Sequence, residues 1–398
     1  MSSKSNHTGN QVLPLYNGKS EMDSGCIYSE HHDALQHAVV FILIILPDVQ
    51  LWNRISIIFD LYLDLRTASF SILSHSSRYV SAMWLFLPVL VAVLFLLCRW
   101  YLERQMVENL TEKYVFITGC DSGFGNQLAR QLDAQGLRVL ASCLTPEAAE
   151  QLEKVTSDRL KTTLLDVTNA ENVAAATEWV KTCVGNKGLW GLVNNAGINY
   201  PVAPNEWLKK EDFAKVLEVN LLGLIDVTLH MLPLVRRARG RVVNLSSVVG
   251  RLAHPGGGYC LSKFAVEAFS DTLRRELSPF GIRVSIIEPG GFATNMLNNP
   301  EQHLQGVFSR MPPHVKEYYG QPYLDAYHKY ICCIGKISSK NFCLVTNCIE
   351  HALTSCYPRT RYSAGWDAKF FFLPISYLPT VITDYILRIF LPKPAQAI

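Results

Sequence analysis

Eight residues, Thr118-Gly119-Cys120-Asp121-Ser122-Gly123-Phe124-Gly125, limit what this chain can fold into more than any other stretch. They follow a short apolar strand, Tyr114-Val115-Phe116-Ile117, and lead into a helical pattern that passes Arg130 and ends at Gln135. Three glycines in this T-G-x3-G-x-G spacing permit a tight turn and a close backbone approach to a ligand. The helix N-terminus just beyond presents unpaired N–H groups, which suit a pyrophosphate. A strand, a glycine turn and a helix in that order open a βαβ unit. Later apolar runs at 138–142, 163–165, 190–193, 241–245 and 283–287 alternate with helical patterns. The expected fold is therefore α/β, a Rossmann-like doubly wound parallel sheet covered on both faces.

Upstream of this unit the chain has a different character. Hydrophobic residues make up 49% of the 398 and charged ones only 18%, a balance tilted toward membrane association. Residues 83–98 (MWLFLPVLVAVLFLLC) form the strongest apolar run, closed by Arg99-Trp100-Tyr101 and Arg104. Sixteen residues fall short of the ~20 a span requires, but the flanking aromatics extend the run into the interface. We read 83–105 as an uncleaved membrane anchor, because no small-residue cleavage site follows it. Residues 1–82 read as a poorly ordered extension: polar through Glu30, with short apolar runs at 38–46 and 52–65. Arg99 and Arg104 favour a cytosolic catalytic part, at the endoplasmic reticulum membrane. Asn109-Leu110-Thr111 is a glycosylation sequon and, if modified, would place that part in the lumen. The net charge of +3 carries no long basic run, so nucleic acid is not an expected partner. Eleven scattered cysteines without a C-x-x-C pattern read as mostly reduced thiols, with no metal site.

The candidate chemistry sits in Tyr259-Cys260-Leu261-Ser262-Lys263. A tyrosine and a lysine four apart share a helix face. A phenol titrates near pH ~10, and a lysine ammonium beside it favours the phenolate. An oxidised nicotinamide would add a second positive charge. Ser246-Ser247 ends a strand twelve residues before the tyrosine. Asn194-Asn195-Ala196-Gly197 ends another, with small residues that admit a cofactor to the backbone, and Asp166 follows a third, where a base could sit. Pro289-Gly290-Gly291, with Thr294 after it, follows the last run. At the end of the second strand an acid would bond a ribose hydroxyl and an arginine would accept a 2′-phosphate. Cys143 and Leu144 stand there instead. Asp121 in the glycine turn would repel an extra phosphate, so NAD is expected over NADP.

This set of motifs, in this order and spacing, resembles the short-chain dehydrogenase/reductase family. The stretches ITGCDSGFGN, KGLWGLVNNAG, LPLVRRARGRVVN and TRYSAGWDAKFFF are similar to its microsomal retinol and hydroxysteroid dehydrogenases, from Met83 onward. The resemblance implies that Tyr259 is the catalytic base or acid and that Lys263 lowers its pKa and binds the nicotinamide ribose. It implies that Ser247 bonds the reacting oxygen of the substrate and that Asn220 holds a water in a proton relay. Gly119, Gly123 and Gly125, with Cys120, Asp121, Ser122 and Phe124 between them, would form the pyrophosphate turn. Asp166 would meet the adenine, while Asn194, Ala196 and Gly197 would border the nucleotide. Pro289 and Gly290 would flank the nicotinamide and Thr294 would hold its carboxamide. Ser122 stands where many NADP-using members carry a basic residue.

The expected domain is 110–365, with 296–340 capping a lipophilic pocket through Phe308, Met311, Tyr318, Tyr319, Tyr323 and Tyr327. Residues 366–398 would rest on membrane lipid, although a buried helix or a homodimer interface has the same composition. The expected activity is oxidation of a retinoid or a 3α/17β-hydroxysteroid. The alternatives are an NADPH-dependent carbonyl reductase and a non-catalytic membrane lipid-binding protein.

Overall fold

The computed structural model describes residues 77–254, 256–294, 300–389 and 391–396. The side chains of 77–88 and of residue 300 also lie outside the description, as do the readings made above for 1–30, 38–46 and 52–65. The chain divides after Leu94 into two units. The helix α1, Ser77–Glu103, is continuous and longer than the apolar run that marks it in the sequence. Its side chains from Val89 to Leu97 are apolar on every face and exposed.

Within the second unit, seven strands pair in the order β3-β2-β1-β4-β5-β6-β7, all parallel. They are β1 Tyr114–Ile117, β2 Arg138–Cys143, β3 Lys161–Leu164, β4 Gly191–Asn194, β5 Arg241–Leu245, β6 Arg283–Pro289 and β7 Arg361–Ala364. Pairing Phe116 with Leu140 on one side and Leu192 on the other makes β1 the centre where the order reverses. Ligands bind above such a reversal, at the strand C-terminal ends. The sequence reading has no β7, because only Tyr362 and Ala364 of its four residues point inward and the usual apolar run is missing.

Helices cover both faces. On one side α2 (Gly123–Ala134), α3 (Pro146–Lys154) and a later helix, Cys343–Thr354, pack Leu128, Leu132, Leu152, Ile349 and Leu353 against the sheet. On the other side lie α4 (Ala170–Val184), α5 (Lys210–Leu217), α6 (Leu224–Ala238) and α7 (Gly258–Leu277), contributing Val180, Met231, Val235 and Leu273. A π-helical segment, Glu218–Gly223, joins α5 to α6. The run from Lys210 to Ala238 is long and apolar enough to cross a membrane, but its apolar face is spent on this core.

A third cluster stands apart. Helices α8 (Pro300–Ser309), α9 (Pro313–Tyr319) and α10 (Gln321–Ile337) gather around Trp207, whose ring meets Phe308, Tyr319 and Tyr323 at centroid distances of 5.3–5.6 Å. Edge-on aromatic contacts of this kind add ~1 kcal/mol each beyond burial. After the helix Cys343–Thr354, here α11, the chain returns through β7 to a π-turn, Ala368–Phe372, then α12 (Leu373–Ser376) and α13 (Thr380–Ile389). The ten described cysteines are free.

Candidate active site

The C-terminal ends of β1, β4, β5 and β6 open onto one cavity of about 1020 Å³. The glycine turn forms its floor. Gly119 (φ 69°) and Gly123 (φ 62°) adopt left-handed backbone that side chains resist. A Cβ on Gly119 would lie 2.8 Å from the Ala196 Cα, and one on Gly125 would lie 2.3 Å from the Gly119 carbonyl oxygen. Gly119 therefore lets the turn nest against β4, and Gly125 lets α2 start directly behind it. Ser122 begins α2 with no side-chain cap, so the first N–H groups of the helix face the cavity. An anionic dinucleotide fits this cradle on these grounds: a helix N-terminus without a side-chain cap, and glycines at 119 and 123 whose left-handed backbone leaves the turn without side chains at those two points.

Beside the glycine turn stands Asp121. Its carboxylate accepts from the backbone N–H of Leu144 (2.9 and 3.0 Å) and of Thr145 (3.1 Å), so a negative charge sits just past β2. Cys143, where the sequence reading looked for an acid, is buried, and burial pushes its thiol up to about 12. Asp166 lines the cavity with Leu165, Val167 and Thr168, and its Oδ1 also accepts from the Thr168 N–H and hydroxyl. It closes a turn and borders the cleft at once.

Ser247, Tyr259 and Lys263 converge at the far end of the cleft. Tyr259 occupies the first turn of α7, and Ser247 caps a short turn, Val248–Gly250, after β5. The Ser247 hydroxyl is hydrogen-bonded to the phenol, which makes it the partner of Tyr259. Ser246 instead turns its hydroxyl to the Lys263 carbonyl at 3.4 Å. Lys263 is buried, its Nζ donating to the Leu245 carbonyl at 2.7 Å and lying 5.5 Å from the Tyr259 ring centroid.

The electrostatics correct one expectation. Lys263 was expected to lower the phenol. Burial instead pushes Tyr259 up to about 12, with only the Ser247 hydroxyl opposing. Burial likewise pulls Lys263 down to about 8, opposed by Glu267. The ammonium is tied to the Leu245 carbonyl over the ring rather than at the phenol oxygen, so desolvation dominates both groups.

Four predicted site residues support the cavity without lining it. Gly125 packs behind the turn as described. Cys120 is buried, its thiol pointing back to the Ile117 carbonyl. Asn194 is buried and donates to Thr228 and Asn244, both at 2.8 Å, while its neighbour Asn195 reaches the cleft and ties the Thr118 and Gly119 carbonyls. Asn220 accepts from the Ile198 N–H (2.8 Å) and donates to the Ile198 carbonyl and the Ser262 hydroxyl. Its side-chain amide thereby pins Ile198, just past β4, to Ser262 of α7. Ala196, Gly197, Phe124, Pro289, Gly290 and Thr294 line the cavity, with the Thr294 methyl group opposite Gly123.

The capping segment also differs from expectation. Phe308, Met311, Tyr319, Tyr323 and Tyr327 face Trp207 rather than the cavity, and Tyr318 is exposed. The next turns of α10 supply the wall instead: Tyr330, Ile331, Ile334 and Ile337. Trp366, Phe371, Phe372 and Leu387 from the C-terminal segment complete it, with His254 bonded to the Tyr330 hydroxyl at 2.5 Å. Sequence reading also missed Asp367, which accepts from the Gly291 N–H at 2.6 Å and fills the space a Cβ on Gly290 would need. A G-W-D triplet directly after β7 was the available signal.

Comparison with known proteins agrees with this geometry. The short chain dehydrogenase family model matches residues 113–305. The chain is 61% identical to human 17-beta-hydroxysteroid dehydrogenase type 6 and 60% identical to rat retinol dehydrogenase 7, covering 79% of this chain and all of each relative. Among solved structures, a short-chain dehydrogenase from Streptomyces avermitilis superposes with a TM-score of 0.56 at 27% identity, over 71% of this chain and 96% of its own. With its tyrosine, lysine and serine gathered above a glycine turn at the reversal of a parallel sheet, this chain belongs to the short-chain dehydrogenase family and is an oxidoreductase of that family.

Proposed function

We propose that this protein oxidises a lipophilic secondary or allylic alcohol, a retinoid or a 3α/17β-hydroxysteroid, with NAD as acceptor and Tyr259 as base. The observation that carries the reading is the character of the cavity. Its reacting end holds Ser247, Tyr259 and Lys263, and the wall beyond is built from Tyr330, Ile331, Ile334, Ile337, Trp366 and Phe371. Such a wall takes a greasy skeleton and offers little to a sugar or an acid. The two relatives compared above carry retinol and 17-beta-hydroxysteroid in their names.

Ser247 holds the substrate oxygen, and Tyr259 takes the hydroxyl proton. Lys263 keeps a positive charge beneath the ring. Gly119, Gly123 and the first N–H groups of α2 would hold the pyrophosphate, with Asp166 near the base. An oxidised nicotinamide supplies the acceptor for the hydride and a further positive charge beside the phenol. NAD is favoured because the Asp121 carboxylate sits past β2, and because the described lining residues include Lys215 and Lys263 but no arginine. A 2′-phosphate there would meet negative charge. The reverse reaction, carbonyl reduction, is the second reading. It is favoured by a phenol pushed up to about 12, which holds its proton at neutral pH and can donate it.

The same reading places the protein on a membrane. From Val89 to Leu97 helix α1 is apolar all round and exposed, which lipid would satisfy. Within the second unit, Glu103 at the end of this helix pairs with Arg359, and its carbonyl accepts from the Ser355 hydroxyl at 3.0 Å. The C-terminal segment exposes Trp366, Phe370, Tyr377, Val381, Tyr385 and Ile389 while Leu387 lines the cavity. A lipophilic alcohol could then enter from the bilayer rather than from water. The endoplasmic reticulum is the proposed membrane and the cytosol the proposed side. The part left uncovered by the relatives, about a fifth of the chain, is close in length to the stretch before Met83.

The test is a matrix of substrates and cofactors. Membranes carrying the full chain are offered all-trans-retinol or a 3α- or 17β-hydroxysteroid, each with NAD and with NADP. NADH formation with at least one lipophilic alcohol is the expected result. Turnover with NADP alone would overturn the cofactor assignment, and turnover of none by folded, cofactor-binding protein would overturn the substrate class.

A further inference from the structure

Lys263 is buried, yet no carboxylate of the described residues lies within ion-pair distance of its Nζ, whose hydrogen bond goes to the Leu245 carbonyl. A buried ammonium of this kind needs compensation from somewhere. One helical turn along α7, on the same face, stands Glu267, which is also buried. It is fixed from the far side by Arg361 of β7, whose Nη2 donates to Glu267 Oε2 at 2.8 Å and whose Nε donates to the same oxygen at 3.2 Å. Arg361 also pairs with Asp271 at 3.1 Å and lies 3.5 Å from Glu288 of β6, which in turn pairs with Arg251 at 3.1 Å. Gly250 permits the packing: a Cβ there would lie 2.7 Å from the Ser246 hydroxyl and 3.1 Å from Glu267 Cγ.

We propose that Glu267 is a positioning residue for the catalytic lysine: its carboxylate, clamped by Arg361, keeps Lys263 charged and so sets the upper pH limit of turnover. The proposal rests on the reading of Tyr259 and Lys263 as the reacting pair. Three observations meet in it. Lys263 and Glu267 share a helix face one turn apart. The C-terminal strand β7, beyond the residues the family model matches, brings the guanidinium that holds the carboxylate in place. The charged groups facing Glu267 are Arg361 and Glu288, and Tyr259 is the titratable group beside Lys263, so the lysine has one nearby anion. Burial lowers Lys263 and Glu267 works against that, while burial raises Glu267 and the Ser246 hydroxyl and Arg361 work against that.

The test compares wild type, Glu267→Gln, Glu267→Asp and Asp271→Asn in membranes, reading kcat/KM from pH 6 to 10. Asp271→Asn removes another partner of Arg361 without facing the lysine. In Glu267→Gln the alkaline limb should move to lower pH, with kcat/KM about tenfold down at pH 9 and within about twofold at pH 6.5. Glu267→Asp should fall between wild type and the amide, and Asp271→Asn should leave the limb in place. A second reading needs no turnover. Lys263 titrates lower folded than unfolded, so it holds stability down below its folded pKa, and stability rises with pH from there toward the unfolded value. That rise in melting temperature should begin at lower pH in Glu267→Gln. An activity loss equal at every pH, or an unmoved limb and melting profile, would overturn the proposal. Should the amide variant not fold, Glu267→Asp decides alone, since an unmoved limb there overturns it. Wild type without any turnover would instead count against the substrate reading and leave the melting comparison standing as the test.

Discussion

The two halves of the cavity are built by different rules. On the proposed reading, the half that would hold the cofactor is made of backbone: a turn at positive φ, a helix N-terminus and strand ends, all from 117–200, with the Pro289-Gly290-Gly291 loop opposite. The half that would take the substrate is made of side chains carried in from afar, from α10, the π-turn at Ala368–Phe372 and α13. A backbone site requires particular residues at fixed spacing, because only glycine fits where a Cβ would lie 2.3–2.8 Å from main chain. A side-chain wall requires only that the surface be apolar and the right shape, so many sequences satisfy it. The first half therefore fixes what class of chemistry is done, and the second fixes on what.

Substitutions should separate the halves. The largest effect belongs to their meeting point: Tyr259→Phe should lower kcat by about a thousandfold with cofactor affinity within about twofold, measured by initial rates and by cofactor titration. Gly125→Ala comes next. Its methyl group would press on the Gly119 carbonyl and the Asn195 amide, so NAD affinity should fall by about a hundredfold while any substrate bound stays the same. Substrate preference changing with this variant would break the division. Asp367→Ala tests the joint between halves. Loss of its bond to the Gly291 N–H should cost about 2 kcal/mol, read as a fall in melting temperature, with both apparent KM values raised. Ile334→Ala should be mildest, raising the alcohol KM about tenfold with the NAD KM unchanged.

The same contrast governs how much could be read from the chain beforehand. The glycine turn, six of the seven strands and the Tyr259–Lys263 pair were legible because local geometry demands those residue types. Asn194 and Asn195 show the limit. Adjacent positions on a strand end point to opposite sides, and spacing alone did not say that Asn195 faces the cleft while Asn194 is locked to Thr228 and Asn244. The α10 helix shows another. Tyr323 and Tyr327 read as pocket material, but they pack against Trp207, and the following turns, from Tyr330 to Ile337, face the cavity. Strand β7 and Asp367 were illegible because their partners, Ile286 to Pro289 and Gly291, lie some 75 residues earlier in the chain. The phenol shift was missed for a related reason: spacing gives a charge its neighbour, but not the burial that outweighs it.

The most direct measurement is NADH formation by membranes carrying the full chain, wild type beside Tyr259→Phe, with all-trans-retinol and a 3α-hydroxysteroid. The expected result is NAD-dependent turnover of at least one alcohol in the wild type and its loss in the variant, which still binds NAD. Equal turnover in both proteins would contradict the assignment of Tyr259 as the group that takes the proton.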